Sequence, residues 1–398
     1  MKISRDAESS YPVEGGAAPT PASRPRRAAV LIVAALILLA GFVVAAPYVS
    51  SALKQGYSFL SGLTTTGPGT QTSSNGNATS EGGVSTTAVQ CSSVVSVRTL
   101  AAPDIRNGSA TISYPADYCA LAAYALGQIN ADRAANGTGP VTLGYNQAAQ
   151  QHADSMLYYG YFSHFDTQGY KPYMRYSLLG GRGADFENVA FFSYSIPHYL
   201  STSEVEDSIK TLEHSMVYDD VTCCNNGHRY NILDPLHNVV SIGVAYNSTQ
   251  LFFDEEFENE YINLNFQVTG ASSSNPYYVT MTGAFVQQVT TPTSIYIAYD
   301  LPPAAESPAQ LSAGPHEYGP GTLAGGVTPK SGILGDCPQF TQGTTVCADR
   351  WSISSSSLDI AFSLADFIRS SGSGVYTVYL VTGSSTNSAI TTISVFVP

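Results

Sequence analysis

The run Ala28–Ala46, AAVLIVAALILLAGFVVAA, contains no charged or strongly polar side chain. About 20 apolar residues cross the ~30 Å hydrocarbon core of a bilayer as a single helix. Arg24, Arg26 and Arg27 precede the run, and only Lys54 follows it closely. That asymmetry leaves residues 1–27 as a cytoplasmic tail and the bulk of the chain outside the membrane. The span 28–49 is therefore expected to be the signal anchor of a single-pass membrane protein. A cleaved signal peptide is the competing reading. Against it, the run exceeds a usual signal core, a polar tail precedes it, and Pro47 disfavours cutting after Ala46. Cleavage after Ala52 remains as its other form.

Ser61–Gln90 follows as SGLTTTGPGTQTSSNGNATSEGGVSTTAVQ, with Glu81 its one charge. Such a segment cannot bury enough apolar surface to offset chain entropy, so residues 50–110 are expected to be a flexible tether. A chain of 398 residues leaves room for two ordinary domains beyond it. The net charge of -13 arises from only 12% charged residues, without a basic patch, which excludes nucleic acid as a partner.

An external location suits the 6 cysteines as disulfides. Cys337 and Cys347 flank a short polar loop and are expected to pair. A bridge between the neighbours Cys223 and Cys224 is strained, so each is expected to join Cys91 or Cys119 in an order that stays open. Sequons at Asn77, Asn107, Asn136 and Asn247 are candidate glycosylation sites.

Residues 111–260 carry the helical periodicity. Tyr118, Leu121, Ala122, Ala125, Leu126 and Ile129 share one face of a helix over 117–136, with Asp117 as N-cap and Asn136-Gly137 as the stop. A second helix, about 146–160, turns Ala149, Ala153, Met156 and Leu157 inward; His152 beside them is expected to be structural. A third, about 203–218, has Val205, Ile209, Leu212 and Met216 as its stripe. Glu213 falls on the edge of that stripe and His214 nearly opposite. Asp220 shares Glu213's edge if the helix continues, as the fallback acid. Val239–Tyr246 and Leu251–Phe253 read as strands. The acidic run Asp254–Glu260 is expected to be a solvated strand end, with a calcium site as the lesser reading.

Six segments together resemble the CAP superfamily, the cysteine-rich secretory, antigen 5 and pathogenesis-related-1 proteins, in its prokaryotic SCP form. They are Ile129-Asn-Ala-Asp-Arg133, Gln151-His-Ala-Asp-Ser-Met156, Phe162-Ser-His164, Phe186-Glu-Asn-Val-Ala190, Gly227-His-Arg-Tyr-Asn-Ile-Leu233 and Ser241-Ile-Gly-Val-Ala245. The resemblance implies an α+β fold, an α-β-α sandwich with a cleft bearing two histidines and two glutamates. His164, Glu187 and His228 match that pattern, whereas Phe186 replaces the usual glycine. The tryptophan that commonly precedes the second glutamate is missing, so Glu213 rests on its helical position.

Imidazole and carboxylate ligands suit a divalent metal, Zn²⁺ first, and leave a coordination position open. His164 and His228 are the expected metal ligands, with Glu187 and Glu213 as cleft carboxylates. No His-Glu-x-x-His stretch or serine-nucleophile elbow is present, and most CAP domains have no established reaction. The leading expectation is a non-enzymatic extracellular module for a metal and a small-molecule, lipid or peptide ligand. A metal-assisted hydrolase of envelope polymer or peptide is the alternative, as is a surface adhesion protein with an idle cleft.

Beyond Tyr261, short β-rich runs alternate with Gly/Ser/Pro-rich turns. Residues 261–398 are expected to form an all-β sandwich, an immunoglobulin-like spacer or adhesion module that meets a cell-surface partner.

Overall fold

A computed structural model describes residues 101–270, 277–315, 317–331, 336–340, 342–383 and 385–398. The expected anchor, most of the tether, Cys91 and Asn77 lie outside the described residues. Among the described residues, no helix is long and apolar enough to cross a membrane.

Helix α1 (Tyr118–Ala135) forms where the apolar periodicity predicts, burying Tyr118, Leu121, Ala122, Ala125 and Ile129. Asp117 occupies its N-cap position but makes no capping bond. Its carboxylate instead accepts from Thr202 Oγ1 at 2.8 Å and Tyr246 OH at 2.9 Å, tying α1 to later elements. Strand β1 (Thr142–Leu143), helices α2 (Ala148–Tyr159) and α3 (Pro172–Leu178), and strand β2 (Ala184–Ser193) follow. Helix α4 (Thr202–Tyr218) starts at a capping box, in which Ser201 and Glu204 satisfy each other's backbone N–H. Two short helices, α5 (Val221–Cys224) and α6 (Gly227–Ile232), lead to β3 (Val239–Tyr246) and β4 (Gln250–Asn259).

These strands form one sheet in the order β1-β3-β4-β2. Helices α1 and α4 cover one face through a core containing Leu121, Ile129, Ile209, Leu212, Ile242, Phe253 and Phe257. Helix α2 lies on the other face so closely that a Cβ on Gly243 would run into the Ala149 carbonyl. Strand β4 is central and covered on both sides, which overturns one expectation. The run beginning at Asp254 is not a solvated strand end: Asp254, Glu255, Glu256 and Glu258 are each at most 1% exposed. A strand with helices on both faces buries every side chain, so its residue types do not report its exposure.

A second disagreement concerns sulfur. Cys337 and Cys347 pair as expected, but Cys223 and Cys224 are bonded to each other. The chain accommodates this in a single turn, α5, that ends in two successive left-handed residues, Asn225 (φ 51) and Asn226 (φ 69). Cys119 is also disulfide-bonded. The sequon asparagines Asn107, Asn136 and Asn247 are exposed.

The remaining strands form two sheets. Strands β5 (Ile262–Thr269), β6 (Tyr278–Phe285), β10 (Arg350–Ile353) and β11 (Ser357–Ser363) make one, ordered β10-β11-β6-β5. Strands β7 (Ser294–Asp300), β8 (Thr322–Thr328), β9 (Thr344–Cys347), β12 (Gly374–Val381) and β13 (Ala389–Val397) make the other, ordered β13-β12-β7-β8-β9. Met281, Ile360 and Phe362 from the first share a core with Ile297, Val378 and Ile393 from the second. Helix α7 (Pro308–Ala313) and helix α8 (Ala365–Ser371) complete this half.

The two halves are bonded together. Asn259 Nδ2 donates to the Ala389 carbonyl at 2.7 Å, and Ser394 N donates to Ser177 Oγ at 3.0 Å. Lys171 Nζ and Tyr173 OH both donate to the Asp300 carboxylate, each at 2.7 Å.

Candidate functional site

His164 lies on the loop between α2 and α3, and Glu187 near the start of β2. The structure brings them together: His164 Nδ1 donates to Glu187 Oε1 at 2.7 Å, with both side chains fully buried. The other carboxylate oxygen of Glu187 accepts from Arg175 on α3. Arg175 also donates to the carbonyls of His164 at 2.7 Å and Tyr170 at 3.0 Å, so it fixes the loop that carries the imidazole. Burial alone would raise the Glu187 carboxyl. That is the largest single effect, but the Arg175 guanidinium, His152 and His164 together outweigh it and hold the pKa down to about 2.

His228 opens α6 and is fully buried. Its Nδ1 donates to Asp220 Oδ1 at 2.7 Å. Burial lowers its pKa despite that partner, and the nearby His164 lowers it further. His228 Nε2 has no hydrogen-bond partner among the described residues. Each imidazole is thus oriented through Nδ1 by a buried carboxylate, the arrangement that presents Nε2 to a metal. The implied divalent metal fits this donor set, since a buried, unbonded imidazole nitrogen is costly unless it meets a ligand.

Glu213 goes elsewhere. It is 1% exposed and faces Glu255 of β4. Glu255 pairs in register with Asn188, whose side chain leaves β2 on the opposite face from its neighbour Glu187. The structure therefore brings Asp220, not Glu213, to His228.

His152, expected to be structural, is fully buried, and its Nε2 donates to the Ser163 carbonyl at 2.7 Å. Atoms of His152, Glu187 and Asp254 also lie within 4.8 Å of one another. Burial, then the charge of Arg175, holds the His152 pKa down to about 3. Sequence reasoning missed two residues that shape the site. Arg175 is one; an arginine in a short helix carries no signal of burial. Tyr318 is the other and comes from the far half of the chain. Its hydroxyl accepts from Glu187 N at 2.8 Å, and its ring centroid lies 4.8 Å from that of His164.

The segment 301–320 thereby closes the site. Leu311 of α7 joins Met156, Phe162 and Val189 in a small core. Gly169 meets the Ala304 backbone so tightly, at φ 79, that any side chain there would collide. The Gly319 carbonyl accepts from Lys171 Nζ at 3.0 Å and Tyr173 OH at 3.1 Å. A second ligand-type cluster, Asp220, Cys223, Cys224 and His228, lies beside the site with its sulfurs in the disulfide.

Residues 126–262 match the model of the cysteine-rich secretory protein (CAP) family. None of the curated proteins matches the chain. Among solved structures, an extracellular protein containing an SCP domain from Bacillus anthracis matches at 17% identity with a TM-score of 0.27. The match covers 36% of this chain and 41% of that one, so the chain spans less than half of that protein's length. Residues 126–262, which contain the helix-covered sheet and both imidazoles, are thus the part of this chain that matches the CAP family.

Proposed function

We propose that this protein is a membrane-anchored, extracellular CAP-domain binding module whose His164 and His228 hold a divalent metal, with Zn²⁺ first. One observation carries the reading. Two fully buried imidazoles are each oriented through Nδ1 by a carboxylate of their own. Glu187 and Asp220 would fix ring orientation and ligand basicity, and Arg175 would keep Glu187 ionised. A bound Zn²⁺ would supply Lewis acidity and an open coordination position. A small-molecule or peptidic ligand is the second component. The burial of both imidazoles, with His164 beneath Tyr318, favours binding over turnover of a polymer, which would need an open groove. The apolar run at residues 28–46 supports the anchor, and the paired cysteines support an oxidising exterior.

Elemental analysis of the purified full chain tests this. The expected result is a stoichiometric divalent metal that His164→Ala with His228→Ala removes while the fold is kept. A chain that takes up no Zn²⁺ at micromolar free metal sinks the proposal. Metal-dependent hydrolysis of cell-envelope polymer or peptide would favour the hydrolase instead.

A further inference from the structure

We infer that the CAP domain folds with one proton shared inside each of two buried carboxyl pairs, Glu213–Glu255 and Asp185–Glu256. The fold is thereby suited to mildly acidic surroundings and loosens as the pH climbs through neutrality. Neither pair contains or touches the imidazoles assigned to the metal.

The first pair joins α4 to β4 within the apolar core. Both oxygens of Glu213 and Oε1 of Glu255 lack a donor among the described residues. From β2, the Asn188 amide donates to Glu255 Oε2 at 3.2 Å, and α6 contributes Asn231, which bonds to Asn188 rather than to the pair. From α1, Asp132 adds a further negative charge. Arg133 on the same helix is spent on the carbonyls of Gly139, Ile232, Asp234 and His237. In register opposite Glu255, β3 offers only Ile242.

The second pair lies diagonally across β2 and β4 on the opposite face. All four oxygens of Asp185 and Glu256 lack a donor among the described residues. Glu187 of β2 and Asp254 of β4 surround it with more negative charge, and α3 brings Tyr176 and Arg175. Arg175 is already bound to Glu187 and to two carbonyls. Tyr379 reaches toward Asp185 from β12. Helix α2, over the same face, carries His152 and Asp154, and the β3 residue in register with Glu256 is Ser241, whose hydroxyl serves Glu258.

Two carboxylates this close in a dry interior cannot both ionise, whereas one shared proton turns each contact into a charge-assisted hydrogen bond. Burial is the largest cause in each case. It pushes Asp185 and Glu255 up to about 7, and Glu213 and Glu256 well above the usual carboxylate range. A carboxyl raised in the folded state gives stability that is complete below its unfolded pKa of ~4. That stability is lost as pH rises toward the folded value, here about 7 for Asp185 and Glu255. His152 and His237 act in the opposite sense. Burial holds them to about 3 and about 4, so they reduce stability as pH falls. Their effect begins below ~6.5, which leaves the alkaline limb to the carboxyls.

Thermal unfolding of the full chain, followed by circular dichroism from pH 6.5 to 8.5, above the range in which the buried histidines act, with chelator present, tests this. The midpoint should fall by on the order of 10 °C across that range, with a slope of about two protons. Glu255→Gln with Glu256→Gln puts an amide donor into each pair and should remove most of that fall. Because the double variant can fail to fold, Glu255→Gln alone should remove about half. The unmodified protein should also show the infrared carbonyl band of a protonated carboxyl at pH 7. A flat or rising midpoint, a fall unchanged in Glu255→Gln, or no such band overturns the inference. So does a fall that added Ca²⁺, Mg²⁺ or Zn²⁺ abolishes, because the pairs would then be holding a cation.

Discussion

The two halves of this chain fill their interiors in opposite ways. The sheets of residues 262–397 meet through Val279, Met281, Ile360, Phe362, Ile297, Val378 and Ile393, a core without a charged side chain. The CAP sheet buries Asp185, Glu187, Asp254, Glu255, Glu256 and Glu258, most of them on its central strand. Apolar burial contributes about 25 cal/mol per Å² and needs no partner, whereas a buried carboxylate is stable only with a cation, a proton or donors beside it. The sandwich is therefore a support that tolerates change residue by residue. The CAP interior is a set of coupled charges in which every substitution changes what its neighbours must do.

The sharpest way to break that contrast is to remove the cation bound to Glu187. Arg175→Met leaves buried Glu187 without its guanidinium, with only the His164 hydrogen bond, and strips donors from the His164 and Tyr170 carbonyls. Breaking a buried pair in this way costs about 3–5 kcal/mol, read from urea denaturation. Adding Glu187→Gln should return part of the loss. Phe362→Ala in the sandwich core costs about 3–5 kcal/mol through a cavity, and no second charge substitution should rescue it. If Glu187→Gln fails to soften Arg175→Met, the two interiors do not differ as stated.

A smaller effect of opposite sign sharpens the same point. Glu213→Leu with Glu255→Leu makes the core under α1 and α4 resemble the sandwich core. Replacing buried polar pairs by apolar residues of similar volume stabilises by about 1–4 kcal/mol in favourable cases, and a gain is expected here at pH 7.5. It should shrink at pH 5, where the native pair already carries its proton. Equal gains at both pH values would count against a shared proton.

How legible this was depended on period more than on residue type. The α1 and α4 stripes were readable because one covered face imposes a 3.6 pattern, and β3 because its short run is rich in β-branched apolar residues. The burial of β4 was not, because a strand covered on both faces shows no alternation and its acids imitate a solvated edge. His164, Glu187 and His228 stood out through short motifs. Asp220 at His228 was visible only as a fallback, since α4 ends at Tyr218 and the chain turns through α5 before α6. Tyr318 was invisible: it reaches Glu187 across 131 residues of sequence, by docking between halves that no local pattern encodes.

That docking supports the smallest of the expected effects. Tyr318→Phe keeps the ring over His164 and removes only the hydroxyl that accepts from Glu187 N. Losing such a bond typically costs about 0.5–1.5 kcal/mol, and more if the buried N–H then finds no water. The loss should appear in the same cooperative transition that Arg175→Met lowers, because Lys171, Tyr173 and Asp300 still bind the two halves together. Stopped-flow uptake of Zn²⁺ should quicken in Tyr318→Gly, where the ring itself is gone, and stay near the native rate in Tyr318→Phe. If both variants take up metal at the native rate, the segment 301–320 is packing on the CAP domain without governing access, and the sandwich is support alone.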